Sequence, residues 1–346
     1  FYWNLIVDIM LYSNTDFNNK SILITGGAGF IGSNIAYYFQ NNFPKSKIVI
    51  FDCFQNNRLL ENGNLKSYGH YKNLIKYSGD VICGDVTNKN DLELLDDYKF
   101  DYIFHHAAIS DTRIYDQELV MRTNVNSFLD ILKITKKNNA TLVYASSAAT
   151  YGNSKAPQKV GHENPENPYG YSKYLMDCIA NKFKLSNPNI SITGLRFFNV
   201  YGPNEFFKQK TSSMVIQFGH QILNGNSPKL FENSDKIFRD FIYIEDVVQA
   251  NIKACSSNST YGQIIHNVGS GVSRSFQDIA DILQKELNTD YGNQFISNPY
   301  DGYQTNTQAN ISSIKKELGF KPRYTLEDGI KAYIPEIKKF HGEGFL

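Results

Sequence analysis

A chain of 346 residues with 35 Lys and Arg against 34 Asp and Glu, a formal net charge of +1, has room for one large or two modest domains around a sizeable core. That balance leaves no basic surplus for nucleic acid and no acidic tail. Four scattered cysteines (Cys53, Cys83, Cys178, Cys255) form no Cys-x-x-Cys pair and the histidines form no His-Glu-x-x-His, so no metal is expected and the thiols suit a reducing cytoplasm.

The first residues stand apart. The chain begins with Phe1 rather than Met, and Phe1 to Leu11 is apolar but interrupted by Asn4 and Asp8. It is too short to span a bilayer and lacks a signal peptide's charged start, so no membrane attachment is expected. Residues 1–19 are expected to be a leading extension outside the fold.

Strands and helices then alternate. Ser21 to Thr25 reads as a buried parallel strand ending at glycines, and a helical pattern runs from about Ile31 to Asn41. Lys47 to Phe51 is a second strand, closed by Asp52. Asp80 to Gly84, Phe100 to His105, Thr141 to Ala145 and Ser191 to Phe197 follow, with helices at Asn124 to Lys137 and Tyr171 to Phe183. After about residue 203 the pattern changes to a polar loop and helix over Lys208 to Gly225, then an aromatic-rich extended stretch over Pro228 to Ile244. Ser275 with Asp278, and Thr325 with Asp328, carry capping signals for two further helices.

The first strand runs directly into Gly26-Gly27-Ala28-Gly29-Phe30-Ile31-Gly32. Gly27, Gly29 and Gly32 fit G-x-G-x-x-G, and Gly26, Gly29 and Gly32 fit G-x-x-G-x-x-G. Such a loop permits a tight turn and close backbone approach to a pyrophosphate, whose charge meets a helix N-terminus. The whole therefore reads as an α/β fold: a Rossmann-type doubly wound parallel sheet, residues 20–200, binding NAD(P), with 201–346 mainly a smaller mixed α/β substrate-binding domain. Asp52 is placed to bond the adenosine ribose, which by itself favours NAD over NADP. Arg58, Lys66 and Lys89 are cations able to approach a 2′-phosphate. Asp85 and Val86, after the third strand, are placed to touch the adenine.

In Asn167-Pro168-Tyr169-Gly170-Tyr171-Ser172-Lys173, Tyr169 and Lys173 are four residues apart and share a helix face. The ammonium is expected to lower the phenol's pKa, making Tyr169 an acid/base for a substrate hydroxyl. Ser147 ends the fifth strand, at the edge where open α/β sheets bind ligands, and is placed to bond the same oxygen. Lys173 would also bond the nicotinamide ribose.

These residues, in this order, resemble the extended short-chain dehydrogenase/reductase family over residues 20 to about 338; its members act mainly on nucleotide sugars. His105-His106-Ala107-Ala108 is similar to the family's adenine-side segment and Asn124 to its helix asparagine. A narrower resemblance, to the ADP-L-glycero-D-manno-heptose 6-epimerases, lies in Ser146 to Gly152, Arg196 to Pro203, Pro228 to Glu232, Arg239-Asp240-Phe241 and Thr307-Gln308-Ala309. It implies a cytoplasmic homo-oligomer that supplies heptose for the lipopolysaccharide inner core, using tightly bound NADP, with NAD the alternative. The cofactor contacts it implies are Gly26, Gly29, Phe30, Ile31, Gly32, Asp52, Cys53, Asp85, Val86, Lys89, His106, Ala107, Ala108, Ser110, Asn124, Lys173, Val200 and Lys208.

The implied reaction inverts C6″ of ADP-D-glycero-D-manno-heptose through a 6″-keto intermediate. Hydride leaves one face and returns to the other, so the intermediate must rotate and meet a second acid/base. The resemblance gives that role to Lys208, whose pKa is expected to fall through partial burial beside another cation. Ser147, Asn199, Phe231, Glu232, Ser234, Arg239 and Tyr303 match substrate contacts, Arg239 as a bidentate grip on the diphosphate. Lys210 and Gln217 stand where a serine and a histidine are usual, Asn204 replaces an arginine, and Asn233 replaces a glycine. A 4-epimerase or a uronate decarboxylase would share Ser147, Tyr169 and Lys173 without requiring Lys208. A 4,6-dehydratase needs an Asp-Glu pair where Ala148 and Ala149 stand. A dinucleotide-sensing regulator without turnover is the remaining class, and often lacks the Tyr or Lys.

Overall fold

Each apolar run alternates its side chains towards two faces, and a parallel sheet must cover both. The computed structural model describes residues 11–257, 263–298 and 304–342. Its strands are β1 (Ser21–Thr25), β2 (Lys47–Asp52), β3 (Asp80–Cys83), β4 (Tyr102–His105), β5 (Thr141–Ser147), β6 (Ile192–Phe197), β7 (Asn199–Tyr201), β8 (Lys229–Phe231), β9 (Phe238–Tyr243), β10 (Ile265–Val268), β11 (Ser273–Ser275) and β12 (Gln294–Ile296). Its helices are α1 (Phe30–Asn42), α2 (Lys89–Glu93), α3 (Gln117–Val120), α4 (Ser127–Asn138), α5 (Pro168–Ser186), α6 (Met214–Leu223), α7 (Ile244–Ser256), α8 (Phe276–Leu287), α9 (Ser312–Leu318) and α10 (Leu326–His341).

Seven strands form one parallel sheet in the order β10-β6-β5-β4-β1-β2-β3. Ile22, Ile24, Ile48, Ile50, Phe104 and Val143 face α1 and α7, while Leu23, Val49, Phe51, Ile103 and Leu142 face α4 and α5. The order reverses between β1 and β4, the switch point where a crevice opens at the strands' C-terminal ends. Helix α5 begins three residues before the apolar periodicity does. Asn167 caps it, accepting the Gly170 N–H at 2.8 Å, and Pro168 takes the first helical position, where a missing N–H costs nothing. The helix expected from Asn124 is instead α3, a π-helical turn over Met121–Asn126, and α4.

The boundary expected at 200/201 is not a clean one, and 201–346 is mainly but not wholly the smaller layer: β10 lies parallel to β6, with Ile265 opposite Gly194, and α7 packs on the sheet's α1 face. The chain thus returns to the large sheet after building part of the smaller layer. That layer holds α6, α8, α10 and the small sheets β11-β9-β7 and β12-β8, and its core runs on from the α1 face. Nor do residues 11–19 stand outside the fold. Phe17 is fully buried, edge-on to Phe39, Phe43 and Tyr102 with centroids 5.1 Å away in each case. Tyr12 stacks on Tyr38 and donates its backbone N–H to that phenol oxygen at 3.1 Å. A lone aromatic in a polar stretch has no periodicity to reveal it. Phe17→Ala is expected to cost about 3–5 kcal/mol of stability. Urea unfolding measures it, and a loss under about 1 kcal/mol would place Phe17 outside the core.

Candidate active site

A cavity of about 570 Å³ opens at the C-terminal ends of β1 to β6. Its floor is the glycine loop. Gly26 has φ +70°, and a Cβ there would lie 2.7 Å from the backbone nitrogen of Ala107. A Cβ on Gly32 would lie 2.4 Å from the carbonyl oxygen of Gly26. Both clashes are with backbone, so neither glycine is replaceable without moving the loop. Helix α1 starts at Gly29 with no side-chain cap and no acidic residue in its first turn. Its free N–H groups and positive dipole end therefore meet the cavity, where Gly26, Gly29, Phe30, Ile31 and Gly32 form the wall. That is a fit for a pyrophosphate, and hence for a dinucleotide. Gly32→Ala is expected to weaken dinucleotide binding by about tenfold or more, read by calorimetry; unchanged affinity would remove the loop from the cofactor site.

Asp52, Cys53, Asp85 and Val86 line the next part of the wall. The Asp52 carboxylate already accepts the Ala28 N–H at 3.0 Å and the Phe54 N–H at 2.8 Å, and burial pushes its carboxyl up against the pull of those donors. Of the three cations weighed for a 2′-phosphate, Lys66 lines the cavity, with Nζ 3.8 Å from Asp85 Oδ2. Lys89, expected as a cofactor contact, is solvent-exposed at the start of α2 and outside the wall, as is Arg58. His106, Ala107, Ala108 and Ser110 lie in the wall. His106 Nε2 is 3.2 Å from Asn251 Oδ1, and burial drives the imidazole down to about 3, so the ring is neutral. Asn251 Oδ1 accepts, so Nε2 carries the proton and the buried Nδ1 is an acceptor without a partner among the described residues. Asn124, expected as a cofactor contact, is not brought to the wall: it is fully buried, its side chain donating to Ile109 O at 3.0 Å and Ser172 Oγ at 2.9 Å and accepting the Ile109 N–H at 2.9 Å. These bonds tie α5 to the loop after β4.

Ser147, Tyr169 and Lys173 share the cavity. Ser147 also caps the turn after β5, its Oγ accepting the Ala149 N–H at 3.1 Å. Tyr169, at the second position of α5, is buried, and Lys173 Nζ lies 5.9 Å from its ring centroid. The expected fall in the phenol's pKa is not found. Burial pushes Tyr169 up, and only the neighbouring Ser147 hydroxyl, able to hydrogen-bond the phenolate, pulls it back. Lys173 instead spends its ammonium on Ala145 O at 2.8 Å, and burial lowers it to about 8 against the pull of Asp177. Lys208 enters the cavity from the segment Phe206–Thr211, its Nζ 5.5 Å from the Phe30 ring centroid. Its pKa falls as expected, but through burial alone; the charges beside it, Glu205 and Asp111, are carboxylates that pull it back up, not cations.

The model of the NAD dependent epimerase/dehydratase family matches residues 22–269. The chain belongs to this family. It is 35% identical to an ADP-L-glycero-D-manno-heptose-6-epimerase of Brachyspira hyodysenteriae, over 93% of this chain and 99% of that protein. Among solved structures it resembles the Helicobacter pylori ADP-L-glycero-D-manno-heptose-6-epimerase, with 46% identity, a TM-score of 0.85, and 95% and 99% of the two chains covered. It also resembles the Bacillus cereus UDP-glucuronic acid 4-epimerase in complex with UDP-glucuronic acid and NAD, with 25% identity, a TM-score of 0.79, and 92% and 99% covered.

At the other end of this epimerase-family cavity, Asn199 and Val200 line the wall with Phe241 and Phe276. Arg239 is buried beside it, its guanidinium carbon 5.8 Å from the Phe276 ring centroid and Nη1 donating to Phe238 O at 2.9 Å. Phe231, Glu232, Asn233, Ser234, Lys210 and Gln217 are not brought to the wall; Lys210 is exposed, and Gln217 ties its amide to Ser212 O at 2.7 Å. Tyr303 lies outside the described residues. Asn233 and Asn204 have φ of +60° and +73°, the left-handed region that asparagine tolerates best after glycine, which accounts for Asn233 in a glycine's place. Tyr68, Thr211, Ser213 and Met214 also line the cavity without belonging to any motif. Phe276 had a signal: it follows the capping residue Ser275, whose Oγ accepts the Asp278 N–H at 3.0 Å. Among the described residues no helix is long and apolar enough to cross a membrane.

Proposed function

We propose that this chain interconverts ADP-D-glycero-D-manno-heptose and ADP-L-glycero-D-manno-heptose by inversion at C6″. One observation carries the reading: two groups able to exchange protons, Tyr169 of α5 and Lys208 of the loop after β7, come from separate elements to one cavity. A bound nicotinamide dinucleotide would take hydride from C6″ and return it. Tyr169 takes or returns the C6″ hydroxyl proton in one orientation of the sugar, with Ser147 bonding the same oxygen. Lys208 does so after the 6″-keto intermediate has turned. The relatives named above support this substrate; a 4-epimerase would leave Lys208 without a task, and Ala148 and Ala149 offer a dehydratase no acid.

NADP is the cofactor this reading takes. Lys66 supports it by bringing a cation to the adenosine end of the cavity, and Asp52 already holds two backbone donors. The same reading makes the protein a cytoplasmic homo-oligomer supplying heptose to the lipopolysaccharide inner core. Incubation with ADP-D-glycero-D-manno-heptose, followed by proton NMR at C6″, is expected to show drift towards the L-glycero epimer. A fixed ratio in folded, cofactor-loaded protein would reject the proposal. Mass spectrometry of the dinucleotide released on denaturation is expected to show the extra phosphate of NADP.

A further inference from the structure

We propose that Glu205 is the positioning residue for Lys208: its buried carboxylate closes the base of the loop that carries this lysine into the cavity. The proposal rests on the reading of Lys208 as an acid/base. The loop Phe206–Thr211 contains Gln209 at φ +51°, ψ −126°, a backbone conformation that side chains rarely adopt. Such a turn persists only where its surroundings hold it. Glu205 is fully buried at its start. Oε1 accepts the Gly202 N–H at 3.2 Å and the Ser213 hydroxyl at 2.7 Å, and Oε2 accepts the Ser213 N–H at 2.7 Å. Gly202 directly follows β7 and Ser213 directly precedes α6, so one carboxylate joins the two rigid elements between which Lys208 is slung. Its own carbonyl accepts the Lys208 N–H at 2.9 Å. Helix α10 holds the seat from outside: Phe206 stacks on Phe340 with centroids 4.5 Å apart, and Glu336 accepts the Asn204 N–H at 2.6 Å.

Burying a carboxylate is costly, and three donors alone do not require a charge. Burial pushes the Glu205 carboxyl up, opposed first by the Lys208 ammonium and then by the Ser213 and Gly202 donors, and Tyr333 and Glu336 of α10 face it from the other side. The interaction with Lys208 works both ways. Lys208 sits where burial disfavours its ammonium, and Glu205 and Asp111 oppose that. Tyr169 and Lys173 line the same cavity from α5. Glu205→Gln keeps the shape, loses the acceptor for the Ser213 N–H, and removes the charge.

The test compares Glu205→Gln and Lys208→Met with the wild-type holoenzyme, each checked for bound dinucleotide. Glu205→Gln is expected to lower kcat by about 10- to 100-fold with KM little changed, as for a misplaced catalytic group. The limb of its pH–rate profile that Lys208 controls is expected to move to lower pH. Glu205→Asp, one methylene short, keeps the charge and is expected to restore the limb more than the rate. Wild-type kcat with an unmoved limb would overturn the proposal, and so would a lower kcat with an unmoved limb, which marks a merely structural role. If Glu205→Gln does not retain dinucleotide, Ser213→Ala removes one donor from the same carboxylate, and is expected to lower kcat by about threefold; no change then overturns the proposal. Near-normal epimerisation by Lys208→Met overturns the two-base reading itself. An inactive Lys208→Met beside an unaffected Glu205→Gln overturns the Glu205 assignment alone.

Discussion

Lys208→Met is expected to lower epimerisation by about 10²- to 10⁴-fold while the dinucleotide stays bound, because it removes one acid/base. Methionine keeps the length and apolar stem of lysine, so packing against Phe30 survives, as do the hydrogen bonds of residue 208's own N–H and carbonyl, to Glu205 O and from Thr211 Oγ1. The loss falls on the chemistry. In the proposed mechanism the oxygen of the turned keto intermediate has left Tyr169, and Lys208 alone is assigned to return a proton to it. Burial of Lys208 suits the role by lowering its pKa from the ordinary lysine range towards that of a usable base. The measurement is the C6″ epimer ratio by NMR, with bound dinucleotide monitored in parallel. Near-normal epimerisation would leave a one-base mechanism as the account.

Tyr169→Phe is expected to cost a similar factor, about 10²- to 10⁴-fold, again with dinucleotide retained. The ring is buried and the variant keeps it, so a thermal transition close to wild type separates chemistry from folding. Burial favours the protonated Tyr169 phenol, and Lys173, bonded to Ala145 O, does not offset it. In the proposed mechanism the positive charge of a bound oxidised nicotinamide would supply the further pull towards the phenolate. Ser147→Ala then becomes informative: it removes the hydroxyl that favours the phenolate, and is expected to slow turnover by about tenfold or more. Turnover of Tyr169→Phe at the wild-type rate would remove Tyr169 from the mechanism.

Local geometry made much of this molecule legible. Runs such as Lys-Ile-Val-Ile-Phe alternate over two or three residues, and both faces of β2 are covered as that pattern implies. Gly32 is required by backbone sterics inside the loop, where a Cβ would meet the Gly26 carbonyl, whereas Gly26 is required by the distant Ala107; Tyr169 and Lys173 share a helix face because four residues make about one turn. The Ser275–Asp278 capping box needs only a three-residue reach. Lys208 entered through a matched string, and the chain carries it to the cavity that those other residues line.

What the sequence alone could not determine depends on distant segments arriving at one place. Phe17 becomes core because Phe39, Phe43 and Tyr102 surround it. Strand β10 joins the large sheet because the edge of β6 is open to it, which no local pattern in Ile265–Val268 reports. Arg239-Asp240-Phe241 and Thr307-Gln308-Ala309, far apart in the chain, meet where Asp240 Oδ2 accepts the Ala309 N–H at 2.9 Å. Asn124 joins α5 to the loop after β4 because Ile109 and Ser172, distant in sequence, take its side-chain hydrogen bonds. Spacing put a charge beside the Tyr169 phenol; only packing determined how much water both had lost, and desolvation outweighed proximity. Residue order along the chain determined which groups could act together on a substrate hydroxyl. The tertiary structure decided in which direction burial shifts each of them, and what surrounds Lys208, because burial is a property of everything around a group and not of its neighbours in sequence.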